Sequence, residues 1–456
     1  MSKKYLEIRN PFNKSVVGNL VVSTGEDVQK AVANAFEAWK EFRYSTPFER
    51  KTLLYALAEQ IRKNADAMAR TVSLEMGKTL REATNEIRRA QNTLKLSADA
   101  GMVLHGEVLP CAVAEGSPDK QATITYEPTG VLGAITPFNY PVNLLCHKLG
   151  PAIAAGNAVV AKPSPKAPLT ADMLCRLARE AGFPPGLFQM VHGGADVAMA
   201  LAHSPISLLS FTGGPAAGLA LKNAAGLVRC LMELGGNDPM VVMPDADLGK
   251  AADVVIGHRF EIAGQSCAAV KKLYLHREIR EEMLALLEAR VANIRTGYPT
   301  QMETDMGTVI DEVAAQEVER RVKLAIHDGA RLISGGERQA ALFQPTLLDC
   351  VPPNTDLVKS ETFGPVIAIR PFEAIDMVID EVNESEYGLQ AGVFTNDHGL
   401  IKRFSRELRV GGVMINEGPD FRAENVPFGG IKSSGLGREG VHVTLREMSE
   451  TKVVID

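Results

Sequence analysis

The spacing of apolar residues divides the chain into a helical N-terminal region and a longer region of alternating strands and helices. Over 27–42, apolar residues recur at helical spacing, at Val28, Ala31, Val32, Ala35 and Trp39. The same pattern continues over 47–64 and 65–98, and Thr24 with Asp27 three residues later is typical of a helix-capping signal. We therefore predict that the first hundred residues are helical.

Short apolar runs alternate with helical stretches from residue 131 onward, which predicts parallel β-sheets with crossover helices. The predicted strands of a first α/β domain are 131–136, 158–162, 188–192, 208–211 and 231–233. Those of a second are 240–243, 273–276, 331–334, 366–371, 391–395 and 412–416. A hairpin is expected within 109–127, around the turn residues 116–119, and a last strand over 451–455.

Composition and charge narrow the class of protein. The 456 residues are 45% hydrophobic and 23% charged, as in an ordinary globular protein, and the net charge is −6. An acidic chain is a poor partner for nucleic acid. No uninterrupted apolar run is long enough to span a bilayer, and no apolar signal core follows the N-terminus. Six dispersed cysteines indicate neither a disulfide framework nor a zinc site, so a reduced, cytoplasmic location is expected.

Several segments are candidates for chemistry, although each is weak alone. Residues 211–215 (FTGGP) follow an apolar strand and open a helix, a place suited to a pyrophosphate. Cys267 lies among small residues, unlike the other cysteines. Glu233 ends an apolar strand, and Glu361 lies among turn residues. The G-x-G-x-x-G at 435–440 does not follow a strand and is interpreted as a chance match. The scattered histidines do not suggest a metal site.

Taken together and in order, these segments resemble the aldehyde dehydrogenase superfamily along nearly the whole chain. The resemblance is carried by seven motifs: PFNYP at 137–141, KPS at 162–164, FTG at 211–213, ELGGN at 233–237, GQSC at 264–267, ETFGP at 361–365 and PFGG at 427–430. It implies an α/β fold with two parallel-sheet domains and a small β oligomerisation element. The expected division is 1–108 with 131–234 for the cofactor domain, 235–437 for the catalytic domain, and 109–130 with 438–456 for oligomerisation.

The same resemblance implies residue roles. Cys267 would be the nucleophile that forms a thiohemiacetal, Asn139 would complete the oxyanion hole, and Glu233 would activate water to hydrolyse the thioester. Lys162 would hold the adenosine ribose and Glu361 the nicotinamide ribose. The full set expected at the cofactor is Thr136, Pro137, Phe138, Lys162, Ser164, Lys166, Phe211, Thr212, Gly213, Gly214, Glu361 and Phe363.

Departures from the family pattern bear on cofactor and substrate. Where NAD-preferring relatives often carry a glutamate, this chain has Pro165, followed by Lys166, so NADP as well as NAD is expected to be accepted. The substrate is expected to be a small polar aldehyde, such as succinate semialdehyde, lactaldehyde or glyceraldehyde. Candidate substrate residues are Arg89, Arg422 and Ser266, although for each arginine a surface position or a structural ion pair is an alternative of at least equal weight.

Two other functions stay open from the sequence. A CoA-acylating or other thioester-forming enzyme could use the same scaffold, although Glu233 favours release of a free acid. A non-catalytic binding protein could also retain the fold, although the presence of Cys267, Asn139 and Glu233 opposes it. The terminal strand and the hairpin imply a homodimer or homotetramer, because an unpaired strand favours pairing with another chain.

Overall fold

The N-terminal region is not wholly helical, contrary to the prediction. The computed structural model describes residues 4–456. It begins with an antiparallel pair, β1 (Tyr5–Arg9) and β2 (Val16–Val21). These strands were missed because they are short and nearly all their residues are at least partly exposed, which leaves little apolar signal. Four helices follow: α1 (Gly25–Phe42), α2 (Pro47–Lys63), α3 (Ala65–Met76) and α4 (Leu80–Met102).

Local signals explain where these helices begin and end. Thr24 and Asp27 form the expected capping box of α1, in which each side chain accepts a hydrogen bond from the other residue's backbone N–H. The stretch predicted as one helix over 65–98 is divided, because Gly77 ends α3 with a φ of +88° and Thr79 starts α4 with its own capping box. The break places Lys78 in the protein interior.

The first α/β domain is built on a six-stranded sheet. After β3 (Glu107–Pro110) and β4 (Gln121–Pro128), its elements are β5 (Val131–Ile135), α5 (Asn143–Ala155), β6 (Ala158–Lys162), α6 (Leu169–Glu180), β7 (Phe188–Met190), α7 (Ala195–Ala202), β8 (Leu208–Thr212), α8 (Pro215–Ala225) and β9 (Arg229–Glu233). The strand order is β9-β8-β5-β6-β7, all parallel, with one further antiparallel strand beside β9. The carboxyl ends of β5, β8 and β9 therefore meet at one edge.

The second α/β domain has a seven-stranded sheet. Its elements are β10 (Pro239–Val242), α9 (Leu248–Phe260), β11 (Lys272–His276), α10 (Arg280–Val291), α11 (Glu312–His327), β12 (Arg331–Ser334), β13 (Arg338–Gln339), β14 (Leu342–Phe343), β15 (Thr346–Asp349), α12 (Asp356–Lys359), β16 (Val366–Phe372), α13 (Ile375–Glu384), β17 (Gln390–Phe394), α14 (His398–Glu407) and β18 (Gly412–Ile415). The order is β12-β15-β16-β11-β10-β17-β18, parallel except for β12 against β15. Strand β15 of this sheet and the short pair β13 and β14 were not predicted; the other six strands of the sheet were, and the fold class is as predicted.

The C-terminal segment returns to the first domain before it forms the small sheet. Strand β19 (Gly435–Leu436) pairs with β9, and helix α15 (Val441–Glu447) buries Val441 and Leu445 in the first domain's core. Strand β20 (Ser449–Ile455) then pairs along its length with β4, giving the three-stranded order β20-β4-β3. Strand β19 and helix α15, on either side of the boundary expected at residue 437, thus both pack with the first domain. The domain division and the oligomerisation role of 109–130 and 438–456 stay predictions. Within 4–456, no helix combines the length and apolarity needed to cross a bilayer.

Candidate active site

A cavity of about 250 Å³ brings together residues that are distant in sequence. It lies at the carboxyl edge of the first sheet, where Glu233 ends β9 and Thr212 ends β8. Open α/β sheets place ligands at this edge. The sequence-predicted residues that line the cavity are Pro137, Phe138, Asn139, Thr212, Gly213, Gly214, Glu233, Cys267, Glu361, Phe363 and Arg422. The structure thus assembles all three expected catalytic side chains in one place.

The nucleophile candidate follows a sharp backbone turn at the end of α9. Ile262, Ala263 and Gly264 have φ values of +45°, +53° and +73°, three successive residues in the left-handed region. At Gly264 a Cβ would come within 2.3 Å of the carbonyl oxygen of Gly364, so only glycine fits without displacing backbone. This turn carries the chain to Cys267, which is half-buried and faces the cavity.

Burial raises the pKa of the Cys267 thiol, and the nearby Lys271 ammonium opposes that rise. Lys271 is buried, and its Nζ donates hydrogen bonds to the carbonyl oxygens of Ser266, at 2.9 Å, and of Cys267. The thiol is therefore the resting form, with one cation close enough to favour the thiolate when a proton is removed.

Asn139 is held with its amide against the nucleophile loop. Its Nδ2 donates a hydrogen bond to the carbonyl oxygen of Gln265 at 3.0 Å, and its Oδ1 accepts one from the N–H of Tyr140 at 3.1 Å. These two contacts fix which end of the amide is the donor. The NH₂ group consequently faces the backbone of the loop that carries Cys267, and it is the donor that an oxyanion hole would use.

Glu233 is buried, and its Oε2 has no hydrogen-bond partner within residues 4–456. Burial, reinforced by the charge of Glu439, raises its pKa well above the ordinary value. Glu439 also lines the cavity, where it binds Arg422 Nη2 at 2.5 Å and lies 3.5 Å from Lys148 Nζ. Glu439 is not among the residues predicted for the site, although it lies inside the glycine motif at 435–440 that is interpreted as a chance match.

Two sequence-predicted substrate residues lie elsewhere. Arg89 donates to Glu424 at 2.7 Å, and Ser266 donates to Asp420 at 2.8 Å; neither is among the described residues lining the cavity. Arg422 does line it, stacked 4.3 Å from the centre of the Phe428 ring. Its buried Nε has no partner among residues 4–456. The ion-pair alternative therefore describes Arg89, whereas Arg422 combines an ion pair with a free donor.

The predicted dinucleotide-binding residues fit such a cofactor. Buried Thr136 Oγ1 and Thr212 Oγ1 lack partners in the described part of the chain, leaving two hydroxyls for a ligand. Gly214 caps α8, and a Cβ there would meet only open space, so the helix N-terminus is accessible to a pyrophosphate. Lys162 ends β6, and burial lowers its pKa to about 8. Phe138 and Phe363 pack edge to face, with ring centres 6.0 Å apart.

Lys166, which is predicted to lie near the cofactor, forms an ion pair that the sequence does not indicate. Lys166 lies in the segment after Lys162, and its Nζ binds Asp311 Oδ2 at 2.5 Å. Ser164 Oγ accepts a hydrogen bond from the N–H of Lys166 at 3.2 Å. The residues next to Lys166 in the sequence include no carboxylate at position 165, but Asp311 of the second domain lies against the Lys166 ammonium. The Lys166 charge is therefore partly compensated.

The whole chain matches a single family model. Residues 1–454 match the model described as "Aldehyde dehydrogenase family". The chain belongs to the aldehyde dehydrogenase family. It is 38% identical over 452 residues to a 3-sulfolactaldehyde dehydrogenase of Priestia aryabhattai, covering 99% of this chain and 94% of that protein. It is 37% identical to a sulfoacetaldehyde dehydrogenase of Neptuniibacter caesariensis, over all of both chains.

Solved structures of this family have the same fold. Glyceraldehyde-3-phosphate dehydrogenase GapN from Methanocaldococcus jannaschii, solved with NADP, superposes with a TM-score of 0.96 and 34% identity, covering 100% of this chain and 99% of that one. The predicted family, fold class and enzyme class, a nicotinamide-dependent aldehyde dehydrogenase, are thereby confirmed. The roles of individual residues stay predictions.

Proposed function

We propose that the protein oxidises a small polar aldehyde to its carboxylic acid with NAD(P)⁺, using Cys267 as nucleophile. The observation that carries this proposal is the shared cavity of Cys267, Asn139 and Glu233 at the carboxyl edge of the first sheet. The same cavity also contains Glu361 and Phe363, which are expected at the cofactor, so the aldehyde and the nicotinamide would meet there.

Each of the three residues has a distinct step. The Cys267 thiol releases its proton to solvent, and Sγ bonds to the aldehyde carbon; the carbonyl π bond breaks, and the oxygen of the resulting thiohemiacetal carries the negative charge. Asn139 Nδ2 donates one N–H to the carbonyl oxygen of Gln265, and its second N–H would donate to that thiohemiacetal oxygen. The nicotinamide of NAD(P)⁺ supplies the hydride acceptor when it is bound, and Cys267 is left as a thioester.

Glu233 acts in the last step, in which it activates the water that hydrolyses the thioester. A carboxylate whose pKa is raised is a stronger base than an ordinary glutamate, so it accepts a proton from water more readily. Water then adds to the thioester carbon, the C–S bond breaks, and the acid leaves while Cys267 recovers its proton. The unpartnered Oε2 of Glu233 is the atom available to that water. This hydrolytic step distinguishes the proposal from the CoA-acylating alternative.

NADP or NAD is the proposed cofactor, with NADP used at least as well as NAD. The support is Lys166, the absence of a carboxylate at position 165, and NADP in the GapN structure from M. jannaschii. Because Asp311 compensates Lys166, we expect Lys166→Ala to lower kcat/KM for NADP by only about two- to tenfold. Comparing kcat/KM for both cofactors checks this; strong selectivity for NAD would contradict it.

The substrate we propose carries a polar or anionic group beyond its aldehyde. Arg422 supports this, because it is a cation among the residues that line the cavity with Cys267, and its buried Nε has no partner within residues 4–456. The relatives named for sulfolactaldehyde and sulfoacetaldehyde act on aldehydes with such a group. Succinate semialdehyde, lactaldehyde and glyceraldehyde stay candidates beside these two.

A homodimer or homotetramer is also proposed. Strand β20 forms one edge of the three-stranded sheet, and Val453, Val454 and Ile455 are each more than half exposed. Such an edge with apolar side chains favours pairing with a second copy. Sedimentation of the wild-type chain and of a chain truncated before residue 449 tests this.

A panel of small aldehydes with each cofactor, followed by absorbance of the reduced nicotinamide, tests the proposed function. We expect turnover without CoA, and loss of at least about 10⁴-fold in kcat for Cys267→Ala with the fold retained. Cys146→Ala is the matched control, since Cys146 is fully buried in the core of the first domain. Turnover that requires CoA would contradict the hydrolytic mechanism.

A further inference from the structure

A buried ammonium connects the nucleophile loop to the cofactor side of the cavity. Lys271 is only 2% exposed. Besides the carbonyl oxygens of Ser266 and Cys267, its Nζ lies 3.4 Å from Glu361 Oε1. That oxygen also accepts a hydrogen bond from the N–H of Gly236 at 3.2 Å. One cation thus bridges the backbone of the nucleophile and a carboxylate that lines the cavity.

The charges around Cys267 make this cation distinctive. Asp238, Asp420 and Glu361 all disfavour the thiolate, and they belong to three different segments of the chain. Lys271 is the charged neighbour that favours it. Asp238 and Asp420 lie nearby and interact with Lys271 as well. Removing the ammonium would therefore leave the thiolate near three acidic groups without the cation that compensates them.

We propose that Lys271 is a positioning residue that holds the nucleophile loop against Glu361 and stabilises the thiolate of Cys267. Through this bridge, a change at Glu361 alters the reactivity of Cys267, and a change at Lys271 alters cofactor binding. The inference rests on the proposed function, which takes Cys267 as nucleophile and Glu361 as a cofactor ligand. Hydrogen bonds to two successive carbonyl groups hold the loop, and the ion pair with Glu361 fixes the direction of the bridge.

The next residue provides a matched control. Lys272 is as deeply buried as Lys271, and burial lowers its pKa to about 8. Its charged neighbours in the described chain are Glu381, Asp238, Arg370 and Lys432, of which only Asp238 also belongs to the group named around Cys267. Lys271→Met and Lys272→Met each remove one buried ammonium, so they share a general cost in stability and differ in their relation to the nucleophile.

The test measures alkylation of Cys267 by iodoacetamide at several pH values, without aldehyde or cofactor. Mass spectrometry of the peptide that contains Cys267 separates its reaction from that of Cys111 and Cys350. We expect Lys271→Met to slow alkylation about tenfold at a given pH, equal to a rise of about one unit in thiol pKa. Lys271→Arg should restore the rate, and Lys272→Met should leave it near the wild-type value.

Removing the charge of Glu361, at the other end of the bridge, should change the alkylation rate of Cys267 in the opposite direction. Glu361→Gln removes a charge that disfavours the thiolate, so alkylation should become faster. In the double variant, the two effects should not add, because each change alters the environment of the other. Titration with NADP alone, followed by calorimetry, should show a Kd about two- to tenfold higher for Lys271→Met, as expected for one lost positioning contact.

Folded Lys271→Met with a wild-type alkylation profile would overturn the inference, as would equal slowing in Lys272→Met. If Lys271→Met does not fold, Lys271→Arg and Glu361→Gln carry the test: an unchanged rate in Glu361→Gln would overturn it. Failure of the proposed function looks different. It would appear as wild-type enzyme that oxidises no aldehyde in the panel, while the alkylation rates would still report on Lys271.

Discussion

Two glutamates that line the cavity are buried to a similar extent, and their pKa values are shifted in opposite directions. Glu233 is 6% exposed and Glu439 is 4% exposed. Glu439 has Arg422 at 2.5 Å and Lys148 at 3.5 Å, and these cations hold its pKa below the ordinary value despite burial. Glu233 has an unpartnered oxygen within the described residues, and its pKa is raised.

The comparison shows that counter-charges, rather than burial alone, decide which carboxylate is ionised. Desolvation acts on both groups, but two close cations compensate only one of them. The ionised Glu439 then raises the pKa of its neighbour, because like charges oppose each other. A fixed anion beside an acid that can change its protonation is the arrangement expected for a general base that works near neutral pH.

Replacing Glu233 should have the largest effect on turnover. We expect Glu233→Gln to lower kcat by about 10²- to 10⁴-fold, because an amide cannot accept the proton of the attacking water. Oxidation of the first aldehyde should persist, so rapid mixing should still show a burst of reduced nicotinamide close to one equivalent per site. Loss of the burst together with turnover would place Glu233 in an earlier step.

The same variant checks the ionisation of Glu233 through stability. In the wild type, the unfolded state loses the Glu233 proton near the ordinary pKa while the folded state keeps it, so stability falls as pH rises between the two values. Glu233→Gln lacks this loss and should have the higher Tm at neutral pH. An equal Tm for both proteins across that pH interval would show that the pKa of Glu233 is not raised in the folded protein.

The side chains that lie within the seven ordered motifs could be identified from the sequence, whereas those that reach the site through tertiary contacts could not. Cys267, Asn139 and Glu233 could be predicted because each lies in a short motif, and the sheet edge they share follows from the strand–helix alternation. Glu439 gave no local signal of burial: its counter-ions, Arg422 and Lys148, are 17 and 291 residues away. Asp311, which binds Lys166, was hidden for the same reason.

Replacing Glu439 should have the next largest effect. Glu439→Gln leaves Arg422 and Lys148 without their buried anion, and we expect a loss of about 3 kcal/mol in the free energy of unfolding at neutral pH. Because the folded pKa of Glu439 is lowered, its contribution is complete above the ordinary carboxylate value and disappears as pH falls toward the lowered one. The Tm difference between variant and wild type should therefore narrow in acid.

The pH dependence of turnover gives a second measurement on Glu439→Gln. Without the neighbouring negative charge, Glu233 should ionise at lower pH, and the acid limb of the kcat profile should move in the same direction. A limb that stays in place would show that the two carboxylates do not interact. Glu424→Gln is a suitable control, because it also breaks a glutamate–arginine pair, with Arg89, outside the cavity lining.

The smallest expected effect comes from Arg422, which serves both Glu439 and the proposed substrate. Arg422→Met should raise KM for an anionic aldehyde such as succinate semialdehyde by about tenfold, because a charge-assisted hydrogen bond is lost. KM for uncharged lactaldehyde should stay within about twofold.

The ion pair itself predicts a second consequence of the same change. Without its closest cation, Glu439 should retain its proton to higher pH and so become more like Glu233. Arg89→Met is the matched control, since Arg89 pairs with Glu424 at a similar distance but lies outside the cavity lining. If both arginine variants changed KM for the two aldehydes equally, the selectivity would come from the overall charge of the protein. If Arg422→Met alone discriminates between them, the cavity arginine recognises the anion directly.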